Sequence, residues 1–390
     1  MAREIRHYRD EDYARIDAMR QEAFRHAMRP AAFARGGGRV LLEHGEIMAA
    51  LLMEPFGQFF GGRSLRSTGI TSVMVDPRAR GRGLVSDLLA WTLREQRAAG
   101  LPLAMLYPSI ISVYRKAGFE FAGATPSYRL PIDSLPAGGD VAAIEPWDDT
   151  QLEEIAACYH AFARSQNGMI ERPLHWWNER VVDPVTMRAP YRYLVRRDGA
   201  VTGYVIYTQE PEPGFYGYGF SLAVRDMVWL DAHAAQALLA FLAANRPFGS
   251  HITWTGPVEE PLAAFLRYEE MQGVDRFLWV ARLIDLPAAL RARGYPPEVR
   301  ATVRLQVHDQ TLPENAGAWS LEVADGAGSL TRAQQAGATL DIGTLASLAT
   351  GWLPAREAAR TGRLHNATPA EIAALEAIFH GPKPWIAESF

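Results

Sequence analysis

The stretch Val73-Met74-Val75-Asp76-Pro77-Arg78-Ala79-Arg80-Gly81-Arg82-Gly83-Leu84 holds the densest chemistry in this 390-residue chain. Its pattern predicts a strand that runs into a Gly/Arg loop and then opens a helix. The first turn of a helix has N–H groups without intrahelical partners, and the helix dipole adds positive potential. Together they form an anion site suited to a pyrophosphate. Gly81 and Gly83 would let the backbone come close to the phosphates. Arg78, Arg80 and Arg82 would add charged donors. No Gly-Lys-Ser/Thr follows, so this is not a Walker loop. Ser86 stands where a dinucleotide fingerprint needs its third glycine. Taken alone, the loop fits an ordinary solvated turn equally well.

A second element follows in Tyr107-Pro108-Ser109-Ile110-Ile111-Ser112-Val113-Tyr114-Arg115-Lys116-Ala117-Gly118-Phe119. By itself Tyr114 reads as a packed helix tyrosine with a satisfied hydroxyl. The order of strand, Arg-x-x-Gly-x-Gly loop, helix, strand and Tyr-x-x-x-Gly-Phe unit resembles the GNAT acetyltransferase superfamily, which binds acyl-coenzyme A.

Over its whole length the chain resembles the enhanced intracellular survival (Eis) family of GNAT N-acetyltransferases. The stretches that carry this are Pro173-Leu174-His175-Trp176-Trp177, the junction from Leu278 to Leu290, Leu312-Pro313-Glu314-Asn315 and the terminal Phe390. The resemblance implies an α/β fold of mixed sheets. Two tandem GNAT-like domains, the second degenerate, would precede a sterol-carrier-protein-like α+β domain. It implies acetyl-CoA as co-substrate and direct transfer to an amine. Val73 and Val75 would pair with the pantetheine arm, and the Val75 N–H would face the thioester oxygen. Arg78, Arg80, Gly81, Arg82, Gly83 and Leu84 would hold the pyrophosphate. Tyr114 would protonate the leaving thiolate, with Ser109 orienting the site. The α-carboxylate of Phe390 would accept the amine's proton. The implied acceptor is a cationic, aminoglycoside-like small molecule, and the implied assembly is a hexamer. Asp10, Glu11, Asp17 and Glu22 are candidates for an acidic acceptor pocket, although the segment Phe24–Arg29 is basic. Polyamines, lysine side chains or peptide N-termini remain alternative acceptors. A non-enzymatic lipid-binding protein with a relic acetyltransferase domain is a further alternative.

The elements that would position these residues fall into three blocks. Residues 1–135 read as helix, hairpin, strand, Gly-loop, helix, strand, helix, strand. The hairpin is predicted over Arg39–His44 and Glu46–Met53, and the strand before the loop over Gly69–Val75. Pro131–Asp140 reads as a linker. Residues 141–285 repeat the order without a Gly/Arg loop, a degenerate copy. Residues 286–390 mix strands and helices and end in an apolar tail, which must be docked or else prone to aggregate.

Composition sets the outer bounds. Forty Lys and Arg against 44 Asp and Glu give a net charge of −4, which argues against a nucleic-acid partner. No apolar run approaches the length of a membrane helix. The N-terminus has no signal-peptide core, so a cytoplasmic protein is expected. One cysteine, Cys158, excludes an internal disulfide. His160 lies two residues from it and off its helix face, so no Cys–His nucleophile is expected. The histidines show no metal-ligand spacing, and no metal site is expected. Phe56, Phe59 and Phe60 read as pocket, lid or core residues.

Overall fold

The computed structural model describes residues 3–25, 37–182, 189–213, 217–266 and 270–388. The chain forms two compact units. The first combines the chain up to Gly123 with Leu278–Pro382. The second comprises Ala124–Phe277 with the tail from Lys383.

In the first unit, β1 (Arg3–His7), β2 (Gly38–Glu43), β3 (Glu46–Phe60), β4 (Arg63–Val75) and β5 (Leu103–Leu106) lie side by side in sequence order. Only the β4–β5 contact is parallel. Alternate residues of β2 and β3 feed opposite faces. Val40, Leu42, Ala50 and Leu52 pack with Ile16 and Met19 of α1 (Tyr13–Phe24). Leu41, Ala49 and Leu51 pack with Leu88, Leu89 and Leu93 of α2 (Leu84–Ala98). β3 and β4 are both longer than the expected Glu46–Met53 and Gly69–Val75 and form a second hairpin that turns at Gly61-Gly62. Glu54, Gln58, Ser67 and Thr68 lie buried along it. These polar residues break the apolar alternation, so the sequence pattern stops short of the real strands. Phe56, Phe59 and Phe60 are buried in this hairpin.

Beyond β5 come α3 (Ile111–Lys116) and β6 (Glu120–Pro131), which continues into the second unit. There β6 is followed in space by β12 (Gly249–Thr255), β11 (Phe220–Trp229), β10 (Ala200–Pro211), β9 (Tyr191–Arg197) and β7 (Ile144–Pro146). The short β8 (Ile170–Glu171), α4 (Leu152–Arg164) and α5 (Leu174–Trp176) lie between β7 and β9 in the chain. The apolar α6 (Ala232–Ala243) packs on β9 to β12 through Leu238, Leu239 and Leu242. Ile132 and Leu135, in the segment expected to be a linker, are buried in that core. Strands at Gln272–Leu283 (β13) and Ala338–Asp341 (β17) were not expected.

Back in the first unit, Val280–Leu283 of β13 pair with β5. The C-terminal part adds α7 (Leu286–Ala292) and a separate sheet ordered β16 (Ala327–Arg332), β15 (Gly317–Ala324), β14 (Ala301–His308), β17. The helices α8 (Ile342–Ala349), α9 (Ala355–Arg360) and α10 (Pro369–Ile378) complete it. A buried ionic knot ties these pieces to the N-terminal sheet. Arg282, fully buried on β13, donates to both Asp309 oxygens at 2.8 and 2.7 Å. Asn315 donates to Asp309 at 2.9 Å and accepts from Arg97 of α2 at 2.8 Å. Leu312, Glu314 and Asn315 thus sit in a conformation fixed by one carboxylate, since Asp309 also accepts from the N–H groups of Thr311 and Leu312.

Removing one side of a buried pair leaves the other uncompensated, at a cost of about 3–5 kcal/mol. Asp309→Ala is therefore expected to lower the denaturation midpoint of the first unit by that order in urea melts. An Arg282→Met, Asp309→Leu double variant is expected to cost less than the single change; the reverse ranking would refute the assignment.

Candidate active site

The site begins with a break in strand pairing. Between Ala50↔Met74 and Leu52↔Thr71, Ser72 and Val73 of β4 oppose the single Leu51 of β3, a β-bulge. Ser72, with φ of +49°, lies within it. On the other side, the β4–β5 register ends at Gly69↔Met105. Beyond that point β4 is paired only with β3. The Asp76 N–H donates to Met48 C=O at 2.8 Å, toward β3. Backbone groups alternate sides along a strand. The N–H and C=O of Val75 therefore turn to the unpaired edge. That edge offers hydrogen bonds to an extended amide-bearing ligand in place of a strand.

The strand ends at Asp76, whose buried carboxylate accepts from the Arg78 N–H at 2.9 Å and caps the turn Pro77–Ala79. The same carboxylate takes the Arg78 side chain at 3.0 Å and is also bonded by Arg15. Gly81 and Gly83 follow with φ of +76° and +79°, and a Cβ at either would meet open space. Gly83 is the N-cap of α2 and supplies no side-chain cap. The first-turn N–H groups of this 15-residue helix thus face an exposed loop without a side-chain cap, and Asp87 in that turn pairs with Arg3 instead.

The three loop arginines differ. Arg78 is held by Asp76 and by Glu46 at 3.2 Å. Arg82 pairs with the buried Glu43 at 2.7 Å, and its carbonyl accepts from Arg3 at 3.0 Å. Arg80 is exposed and makes no ion pair among the described residues. Sequence spacing treats the three as equal donors; among the described residues the structure gives two of them carboxylate partners and leaves Arg80 exposed without one.

Tyr114 sits on α3 and is buried in the same cluster as Leu84, with Val73 and Val75 packed against it. Its ring meets Phe119 edge-on, with centroids 6.1 Å apart. Burial pushes its phenol pKa up, against a hydrogen bond with Ser109, so it stays protonated at neutral pH. Several contacts fix this short helix. Arg115 and Arg363 both bond the buried Glu120, at 2.8–2.9 Å and 2.6 Å. Gly118 has φ of +84°, and a Cβ there would lie 2.9 Å from the Arg282 guanidinium. The glycine of the Tyr-x-x-x-Gly-Phe unit is thus required by the turn and by the ionic knot beneath it. Sequence spacing gives no hint of Glu43, Glu120 or Arg363.

The remaining candidates are less converged. Asp10 accepts from Tyr8 at 3.5 Å, Glu11 pairs with Arg9 at 3.3 Å, and Asp17 accepts from Gln21 at 2.7 Å. Arg20 donates to Ser72 at the bulge, at 3.1 Å. Residues 26–29 of the basic segment and Phe390 lie outside the described residues. Cys158 is buried, and burial with nearby Asp226 and Asp231 pushes its thiol up to about 12. His160 instead faces Glu171 at 3.6 Å. Among the described residues, no three His, Cys, Asp or Glu side chains form a metal-sized group. None of the described helices is long and apolar enough to cross a membrane.

In the second unit the strand-to-helix passage among the described residues differs. There β11 passes directly into α6, and Asp231 caps that helix, accepting from the Ala234 N–H at 2.8 Å. A carboxylate of the chain itself occupies the place an anion would take.

Arg78 holds Asp76 well below the usual carboxylate range. The unfolded chain binds that proton near pH 4, the folded chain only at lower pH. Stability from this group is therefore present above pH 4 and lost as pH falls below it. Asp76→Asn is expected to reduce the acid-side slope of stability against pH by up to one proton. An unchanged slope in acid titration melts would contradict the assignment.

Comparison with known proteins agrees with this geometry. Residues 4–122 and 168–283 each match acetyltransferase (GNAT) domain models, and residues 286–387 match a sterol carrier protein domain. An N-acetyltransferase of Streptomyces coelicolor is 29% identical over 347 residues, covering 85% of this chain and 82% of its own. The N-acetyltransferase Eis of Mycobacterium tuberculosis is 26% identical over 343 residues, covering 82% and 79%. A GCN5-related N-acetyltransferase from Anabaena variabilis superposes with a TM-score of 0.93 at 28% identity over all of both chains. Eis1 from Mycobacterium abscessus, at 22% identity and TM-score 0.84 over all of both chains, shares the fold. With two GNAT domains ahead of a sterol carrier protein domain, and relatives that span four fifths of its length, this chain is a GNAT-type N-acetyltransferase similar to the Eis proteins; GNAT acetyltransferases take their acetyl group from acetyl-CoA.

Proposed function

We propose that the junction of β4 and α2 holds acetyl-CoA and that the acetyl group passes directly to an amine of a cationic, aminoglycoside-like molecule. The observation that carries this reading is the uncapped N-terminus of α2 beside an unpaired strand edge, with a protonated, buried Tyr114 in the same cluster. The α2 amides and Arg80 take the pyrophosphate, while Arg78 and Arg82 brace the loop. Val73 and Val75 take the pantetheine amides. The Val75 N–H meets the thioester oxygen as charge develops on it. Holding both reactants supplies much of the acceleration. Tyr114, oriented by Ser109, gives its proton to the leaving thiolate. The α-carboxylate of Phe390 accepts a proton from the attacking amine. The domain limits that go with this are 1–135 for catalysis, 141–285 for the degenerate copy and 286–390 for the carrier-like domain. The resemblance also carries with it a hexamer in the cytoplasm, acting on small molecules rather than nucleic acid or membrane.

A second acceptor reading draws on α1. Asp10 and Glu11 just before it and Asp17 within it are engaged locally, and Arg20 lies against the bulge. This favours a less highly charged amine such as a lysine side chain or peptide N-terminus over a polycation. Thiol release with acetyl-CoA and a panel of aminoglycosides, polyamines and lysine peptides separates the two readings. Turnover on none of them would remove the enzymatic proposal for that panel.

Tyr114→Phe is expected to lower kcat by on the order of 10²–10⁴ with acetyl-CoA affinity retained. Full kcat in that variant would exclude Tyr114 as the acid. Gly83→Ala places a side chain at positive φ, which costs about 1–2 kcal/mol. It is expected to raise KM for acetyl-CoA roughly 5- to 30-fold with little change in kcat. An unchanged KM would place the pyrophosphate elsewhere.

A further inference from the structure

The turn that carries Tyr114 is short and needs outside support. α3 spans six residues, and its N-cap Ile110 supplies no side-chain cap. A helix of that length is not stable by itself. The Tyr114 C=O accepts from the Ala117 N–H at 2.9 Å and from the Phe119 N–H at 3.1 Å, which closes the chain back toward β6. Arg115, next in sequence, donates through Nε and Nη2 to both oxygens of Glu120, at 2.9 and 2.8 Å. Glu120 is 5% exposed and also accepts from the Phe121 N–H at 3.0 Å. All of these contacts are local. They shape the turn, but they cannot place it against the rest of the first unit.

Placement comes from the stretch that matches a sterol carrier protein domain, and the contacts lie within the first unit. Arg363 follows α9, and its N–H donates to Ala358 C=O at 2.8 Å, which fixes its backbone on that helix. Its Nη1 donates to Glu120 at 2.6 Å. The Ser347 hydroxyl of α8 donates to Phe121 C=O at 2.5 Å, and the Thr311 hydroxyl to Lys116 C=O at 3.4 Å. A Cβ on Gly343 would lie 3.2 Å from the Glu120 Cβ, so α8 lies close against the same turn.

Four charged groups meet here: Arg115, Arg363, Glu120 and Asp341, whose negative charge bears on Arg115. Asp341 caps α8, accepting from the Thr344 N–H at 2.7 Å. Arg115 already gives the buried Glu120 a bidentate partner. Compensation of that carboxylate therefore does not require Arg363. What Arg363 adds is a tie between a locally closed turn and a separate part of the fold.

We propose that Arg363 is a positioning residue for the transfer: it holds Glu120 and, through the Glu120–Arg115 pair, sets where α3 presents the Tyr114 hydroxyl. This rests on the reading of Tyr114 as the acid. No proton passes through Arg363 itself.

The test uses the full-length protein, with thiol release from acetyl-CoA and an aminoglycoside as the amine, together with melting and hydrogen exchange. Arg363→Ala leaves Glu120 paired with Arg115. Its kcat is expected to fall on the order of 5- to 30-fold, because misplacement of a reacting group is costly. KM for acetyl-CoA and the melting midpoint stay near wild type, and hydrogen exchange quickens over residues 111–121 but not over α2. Arg363→Lys, which keeps one charged donor, recovers part of kcat. In a Tyr114→Phe background, Arg363→Ala adds little further loss, since both act on one proton transfer. Unchanged exchange over residues 111–121, a kcat near wild type in Arg363→Ala, or a loss matched by KM and global melting would overturn the proposal. So would equal losses in Arg363→Ala and Arg363→Lys, or a full further loss in the Tyr114→Phe background. Full kcat in Tyr114→Phe removes the acid reading, and the proposal with it. Lost kcat there, with Arg363→Ala active, removes only the role of Arg363.

Discussion

Backbone N–H and C=O groups at a strand edge demand partners, and from Ile70 to Val75 β4 has them only on the β3 side. The first unit is organised around that unmet demand. The bulge at Ser72 turns the strand away from β5. The open edge then leads, within a few residues, to the uncapped start of α2. In the proposed reading, one continuous piece of chain offers amide pairing, an oxyanion-binding N–H and a phosphate site in sequence. Little covalent machinery is then needed, because the proposed chemistry is mostly that of holding two reactants together. The second unit shows the contrast: it has a strand and helix in the same order, but Asp231 caps the helix and closes the anion site.

Arginine carries the fixed points of both units. Arg282, Arg172 and Arg293 are buried, each in a different chemical setting. Arg282 is bidentate to Asp309, and Arg172 bridges two carboxylates. Arg293 lies between the rings of Tyr295 and Phe379 and donates to backbone carbonyls, and burial lowers its pKa to about 10. A planar guanidinium serves all three, offering several donors in fixed directions and a face that stacks on rings. The chain has only two lysines, Lys116 and Lys383. That bias reads as genomic, yet in these places only an arginine could do the work of bidentate pairing and stacking.

Much of the site was legible because it is local. The residues from Val73 to Leu84 are contiguous, and their roles follow from strand, turn and helix-end physics. The Tyr-x-x-x-Gly-Phe unit was legible for the same reason, although the cause of its glycine lies in Arg282, far along the chain. Strand lengths were misjudged where buried polar residues such as Glu54 and Gln58 interrupted the apolar alternation. The apolar tail was read as either docked or prone to aggregate, and it docks from Trp385 to Glu388.

By itself the sequence marked the candidate anion-binding loop, the candidate acid and the succession of elements from the strand before the loop to the helix of Tyr114, since each depends on neighbours a few residues apart. Tertiary structure decided which loop arginines are engaged. Arg82 pairs with Glu43, and Arg78 with Asp76 and Glu46. It also decided that Asp309 and Asn315 lock the carrier part to α2, and that Arg172 meets Glu388 across 216 residues. Pairings of that kind come from strand order and from the need of a buried charge for a partner. No spacing along the chain records them.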